Sequence, residues 1–111
     1  MVKQEIDLPT EVMSRLSGIF SSYPEIEKVT VFGSRVLGNA KPGSDVDLAF
    51  GGKDVTLRLV STVQNYLEEE TTLPYFFDCV YFESVENGDL RKHILRYGKI
   101  LYEKSLFTGK E

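Results

Sequence analysis

Residues 33–50 read GSRVLGNAKPGSDVDLAF, and the rest of the chain is organised around them. They join a glycine-serine turn, placed just after an apolar strand, to two carboxylates one residue apart at the start of another strand. Side chains on a strand alternate between faces, so Asp45 and Asp47 share one face while Val46, Leu48 and Phe50 share the other. Carboxylates spaced in this way stand roughly 6.5 Å apart along the backbone and can swing together. Ionised and unaccompanied at about 4 Å, they would repel by about 4 kcal/mol at an effective dielectric of about 20. A divalent cation reverses that sign. Oxygen donors suit Mg²⁺ or Mn²⁺, which are usually held by one or two carboxylates together with substrate phosphates. Such a site asks for a phosphorylated ligand, and the upstream turn could meet it. Glycine lets backbone amides approach an anion, and the residues that follow can open a short helix with free N–H groups.

Gly33 and Gly38 stand at the interval of the two P-loop glycines, but Asn39 and Ala40 occupy the places of the P-loop lysine and hydroxyl residue. Without those two groups the P-loop reading is set aside. The stretch instead resembles the signature of the DNA polymerase β-like nucleotidyltransferase superfamily, and within it the minimal nucleotidyltransferases. Their pattern is a strand, Gly-Ser, a short helix with a second glycine, then Ser or Thr followed by D-x-D and an apolar residue on the next strand. Gly33, Ser34, Gly38, Ser44, Asp45, Asp47 and Leu48 meet it. The fold this implies is α+β, polymerase β palm-like, with a mixed sheet of three or four strands and helices packed on one face.

A chain of 111 residues can bury most of one ordinary core, so a single domain over 1–111 is expected. The net charge of −4 argues against wrapping a nucleic-acid backbone, which takes many Lys and Arg contacts, yet remains compatible with one nucleotide bound through metal. The opening MVKQEIDLPTE lacks the apolar core of a secretory signal, and no run reaches the length of a membrane span, so a cytoplasmic location is expected by default. Cys79, the single cysteine, excludes an internal disulfide and leaves a structural zinc site without ligands.

Around the central stretch the elements follow from periodicity. Val12, Met13, Leu16, Ile19 and Phe20 recur at helical spacing from about Pro9 to Phe20, and SSYP at 21–24 stops that helix. Residues 26–32 read as a strand with Val29 and Val31 on one face and Thr30 and Phe32 on the other. Ser34 could cap a short helix to Gly38, and KPG marks the loop before Asp45. Asp54 is placed to cap a helix over 55–69 with the stripe Leu59, Val60, Val63 and Leu67, whose closing Glu68-Glu69-Glu70 reads as a solvated end. Residues 73–82 form the third strand, with Phe76, Asp78 and Val80 on one face and Tyr75, Phe77, Cys79 and Tyr81 on the other. A charge among so many apolar residues is costly unless paired or metal-bound, which singles out Asp78; the alternative is a carboxylate at an exposed edge or paired with a surface cation. A last helix from Glu86 to Tyr97, capped by Asn87 or nearby and stopped by a left-handed Gly98, leads into KILYE as a short strand or tail, with SLFTGKE expected to fray. His93, on that helix between Leu90 and Tyr97, reads as boundary packing, and Cys79 as a buried small hydrophobe.

The resemblance assigns roles to these residues. Asp45, Asp47 and Asp78, the last in the place of the superfamily's third carboxylate, would hold two Mg²⁺ (or Mn²⁺) ions. Gly33 and Ser34 would hold the β- and γ-phosphates of a nucleoside triphosphate, expected to be ATP, with Ser44 in the same nucleotide-binding set. Arg35 reads either as a bidentate phosphate contact or as a solvent-exposed arginine. Asp78 would also activate the acceptor. Larger superfamily members add a helical domain that grips base or acceptor. In the minimal group that part is typically a separate helical HEPN protein, and the pair forms a toxin-antitoxin module in which the antitoxin can nucleotidylate its partner. A homo- or hetero-oligomer is therefore expected, with Tyr75, Tyr81 and Tyr102 as candidate contact residues against a default of core packing. The leading reading is a metal-dependent nucleotidyltransferase acting on such a partner. Its alternatives are a non-catalytic module that neutralises the partner by binding, and a metal-dependent nuclease, which the Gly-Ser turn and the acidity do not fit.

Overall fold

The computed structural model describes residues 6–104. In chain order these are α1 (Thr10–Ser21), β1 (Lys28–Phe32), α2 (Ser34–Leu37), β2 (Val46–Gly51), α3 (Leu57–Glu69), β3 (Phe77–Tyr81), a single 3-10 turn (Phe82–Ser84), α4 (Gly88–Tyr97) and β4 (Lys99–Glu103). The four strands make one sheet in the order β3-β2-β1-β4. β1 runs antiparallel to β2 and β4, whereas β2 and β3 are parallel, a pairing that requires the crossover that α3 supplies. The fold is α+β with a mixed sheet, as the sequence implies.

Period-2 alternation sorts the sheet residues. Val29, Val31, Val46, Leu48, Phe50 and Phe77 face α1 and α3, where Leu16, Phe20, Val60, Val63 and Leu67 complete the main core. Phe20 stands edge-on to Phe50, with ring centroids 5.4 Å apart. On the opposite face Phe32 and Ala49 form a smaller cluster with Ile94 of α4. So α1 and α3 share one face as anticipated, while α4 crosses to the other because Leu90 and Ile94 find their apolar partners there.

Several local expectations shift. Gly33, not Ser34, is the N-cap residue of α2. Thr56, not Asp54, caps α3, its hydroxyl accepting from the Leu59 N–H over 3.0 Å, whereas Asn87 caps α4 as expected. Gly98 has φ −62° and is not left-handed. It must be glycine because a Cβ there would meet the Ile94 carbonyl and the Thr30 methyl. The third strand starts only at Phe77, after Pro74, and Phe82 already turns away. Glu68 is more than a solvated end. Its carboxylate accepts from the Phe77 N–H over 3.0 Å, and Gln64 accepts from Cys79 N–H over 2.9 Å, so α3 covers the outer edge of β3. Tyr102 is 3 % exposed, its ring against Phe20, so it belongs to the core and not to a contact surface. Tyr75 and Tyr81 are half-buried against the same core. SLFTGKE lies outside the described residues.

Candidate active site

Strand register brings the acids together. Asp47 of β2 is the direct partner of Asp78 on β3, and in-register neighbours on adjacent strands lie roughly 4.8 Å apart on one face. Asp45 stands one residue before β2, two positions from Asp47, on the same side. Asp45 and Asp78 are exposed and Asp47 is half-buried. Burial, then the charge of Asp78, then that of Asp45, push the Asp47 carboxyl up from its ordinary 3.8 to about 6. The three therefore interact through their fields. Among the described residues, no three acidic, imidazole or thiol side chains are yet oriented to ligate one ion.

Gly33 closes this cluster from above. It follows Phe32, itself the register partner of Asp47, with φ 78° and ψ −148°, a region open essentially to glycine. A Cβ at this position would collide with Asp47 Oδ2, so the turn can approach the carboxylate only because residue 33 has no side chain. The Gly33 carbonyl accepts from the Val36 and Leu37 N–H groups, each at 3.1 Å. The N–H groups of Ser34 and Arg35 find no acceptor among the described residues, and neither does the Ser34 hydroxyl. Two amides and a hydroxyl thus stand at the start of α2 beside three carboxylates.

Arg35 is neither of the things its sequence position suggests. It is 8 % exposed, donating from Nη1 to the Asp7 carbonyl over 3.1 Å and from Nη2 to the Ser44 carbonyl over 2.8 Å. Its guanidinium lies 5.3 Å from the centroid of the Tyr75 ring, and Nε has no hydrogen-bond partner among the described residues. The side chain turns inward because the segment at 6–8, with Ile6 and Leu8 buried and the Asp7 N–H bonded to the Arg35 carbonyl over 2.7 Å, packs against α2. Arg35 is thereby a strut that anchors the loop one residue before Asp45. Ser44 organises the same loop, its hydroxyl accepting from the Lys41 N–H over 2.8 Å.

His93, read from the sequence as packing, reaches the turn: its Nε2 accepts from the Gly33 N–H over 3.1 Å. The only signal for this in the sequence is the lone histidine on the last helix, which carries no distance information. Cys79 faces away from Asp78, and burial, followed by the charges of Asp78, Glu68 and Asp47, raises its thiol far above the range in which a thiolate forms. A groove of about 370 Å³ opens elsewhere on the α4 face, between Thr30, Ala49, Phe82, Ile94 and Ile100, and none of the candidate site residues lines it.

The donor set is all oxygen, it concentrates like charge on Asp47, and its turn leaves a cradle that any Cβ would fill. Those features fit hard divalent cations such as Mg²⁺ beside a phosphate group. The sequence pattern of the family described as polymerase beta, nucleotidyltransferase matches residues 14–106, and the chain belongs to that family. Two solved structures share its fold. One is a toxin-antitoxin complex with AMP-PNP, at TM-score 0.67 and 20 % identity, covering 89 % of this chain and 77 % of that one. The other is a mutant of the toxin-antitoxin MntA-HpeT, at TM-score 0.66 and 20 % identity, covering 90 % and 81 %. No curated sequence is similar enough to count as a relative. Among the described residues no helix is long and apolar enough to cross a membrane.

Proposed function

We propose that the chain transfers a nucleoside monophosphate, AMP from ATP, onto a partner toxin of the helical HEPN type and so acts as its antitoxin in the cytoplasm. The observation that carries this reading is the coupling of Asp47 with Asp78 and Asp45 directly beneath the Gly33 turn. Asp45, Asp47 and Asp78 would hold Mg²⁺, two ions in the full complement, with Mn²⁺ able to substitute. When bound, the metal neutralises charge on the phosphates and lowers the pKa of an attacking hydroxyl. The residues of the chain do the rest. The Ser34 hydroxyl and the amides of Ser34 and Arg35 would receive the β- and γ-phosphates, while Arg35 and Ser44 keep the loop that carries Asp45 in place. Asp78 is the exposed member on the outer strand, so the acceptor hydroxyl would approach there and give up its proton on that side. The acceptor oxygen forms a bond to the α-phosphorus as the bond from that phosphorus to the β-phosphate oxygen breaks. Pyrophosphate leaves and one nucleotide remains on the acceptor.

Support from the structural neighbours is of the same kind. One is a toxin-antitoxin complex with a nucleoside triphosphate analogue, and the other is a mutant whose two replaced aspartates are spaced, like Asp45 and Asp47, by one residue. Incubating the chain with its partner, Mg²⁺ and α-labelled ATP should place label on the partner and add one nucleotide to its mass. Asp47→Asn should abolish the transfer while leaving the fold intact. Unchanged labelling by that variant would remove the carboxylate assignment, and tight neutralisation of the partner without label would favour a module that only binds.

A further inference from the structure

Gly33 follows β1 directly and is the N-cap residue of α2. In a capping box the N–H of a residue in that place finds its acceptor three positions on, in the side chain of a Glu or Gln. Here that position is Val36, which has no acceptor to offer. The bond comes instead from α4, sixty positions away, where His93 Nε2 lies 3.1 Å from the Gly33 nitrogen. A neutral imidazole accepts at one nitrogen only, so this bond assigns the ring proton to Nδ1. The ring is seated between Phe32, at a centroid distance of 6.1 Å, and Tyr97, at 5.4 Å. Packing between those rings would be served by any flat apolar side chain. Only the bond to Gly33 needs a nitrogen.

The turn held in this way is the one that closes on Asp47, where a Cβ on residue 33 would strike the carboxylate. The next two amides, of Ser34 and Arg35, have no protein acceptor among the described residues, so their direction follows from how the Gly33 peptide is held. We propose that His93 is a positioning residue. By accepting from the Gly33 amide it fixes the Gly33–Ser34 turn above Asp47 and aims the neighbouring amides at the nucleotide phosphates. The inference rests on the nucleotidyltransferase reading, in which the phosphates lie at that turn. His93 itself touches no reacting atom; it acts through Gly33.

The test separates the acceptor from the ring. His93→Phe keeps a ring between Phe32 and Tyr97 but accepts nothing. His93→Gln places an amide oxygen near the former Nε2, whereas His93→Asn is too short to reach and serves as a second variant without the bond. Binding of AMP-PNP in the presence of Mg²⁺ is measured for all three, together with the amide resonance of Gly33. His93→Phe and His93→Asn should weaken binding by roughly 10-fold or more, the order expected when a partly buried amide loses its acceptor. Both should shift the Gly33 amide signal. His93→Gln should recover most of the affinity and return the signal toward its wild-type position. Wild-type affinity in His93→Phe, or no recovery in His93→Gln, overturns the inference. Tighter binding in His93→Phe overturns it too, since the imidazole would then be withholding the amide instead of placing it. Failure of the wild-type protein to bind AMP-PNP at all would instead sink the nucleotidyltransferase reading beneath it.

Discussion

Asp47 is held in an unfavourable state by its own surroundings. Its carboxyl titrates near 6 because it is partly buried and faces Asp78 and Asp45. A carboxyl whose folded pKa lies above its unfolded value binds more protons folded than unfolded between the two, so its contribution to stability falls as pH rises through that window. For Asp47 the window runs from 3.8 to about 6, and above it the destabilisation is fully present. Asp47→Asn should therefore stabilise the metal-free protein at pH 7.5 and leave it nearly unchanged at about pH 3, below both values, as followed by thermal unfolding at the two pH values. A variant less stable than wild type at pH 7.5 would show that the carboxylate is engaged in some favourable contact instead. That Asp45 and Asp47 share one side was legible in the sequence because strand alternation is a local property, whereas the place of Asp78 beside them depends on strand register and was implied only by the family resemblance. The roles of Arg35 and His93 were not legible. Arg35 bonds across 28 and 9 positions and His93 across 60, and spacing along a chain does not encode contacts that only tertiary packing creates.

At the scale of elements, β3 shows how a helix can serve a sheet edge. Parallel pairing to β2 uses one side of the strand, and Gln64 and Glu68, one turn apart on α3, accept the N–H groups of Cys79 and Phe77 on the other. Removing an acceptor from a partly buried donor costs about 1–3 kcal/mol. Gln64→Ala and Glu68→Ala should each lower stability toward the smaller end of that range. They should also speed hydrogen exchange selectively, Gln64→Ala at the Cys79 amide and Glu68→Ala at the Phe77 amide. Uniform exchange changes, or none, would contradict the assigned bonds. Hydrophobic periodicity was sufficient to place the three long helices, whereas KILYE read equally as a strand or a tail and is β4. The helix ends were harder to read, for identifiable reasons. Asp54 and Thr56 are both good caps, and the choice falls to whichever residue the backbone turn leaves extended, here Thr56 at φ −131° and ψ 165°. Gly98 looked like a left-handed stop, but what requires glycine is the close approach of Ile94 and Thr30.

The whole molecule is a sheet with unequal faces. The α1 and α3 side holds the main core, and the other side carries the acids at one end and the Phe32–Ala49–Ile94 cluster beside them. Phe20, fully buried against Phe50 and Tyr102, should be the costlier site to truncate. Phe20→Ala is expected to cost about 3–5 kcal/mol and Ile94→Ala about 2 kcal/mol, near the lower limit for buried aliphatic truncation, as read by urea unfolding. Equal losses would mean that the two clusters act as one core. The division leaves the acidic end, with Asp45 and Asp78 exposed, open to solvent. The side of the sheet taken by α4 was not legible, because the stripe of Leu90 and Ile94 says that the helix has an apolar face but not which apolar surface it meets.

In the proposed function Asp45, Asp47 and Asp78, set beneath the Gly33–Ser34 turn, grip a divalent cation and a triphosphate together. Calorimetric titration of AMP-PNP into wild type and Asp47→Asn, each with and without Mg²⁺, tests it most directly. Binding by the wild type that requires Mg²⁺, and is lost in Asp47→Asn, is the predicted result. Equal binding by the two proteins, or wild-type binding indifferent to Mg²⁺, would contradict it.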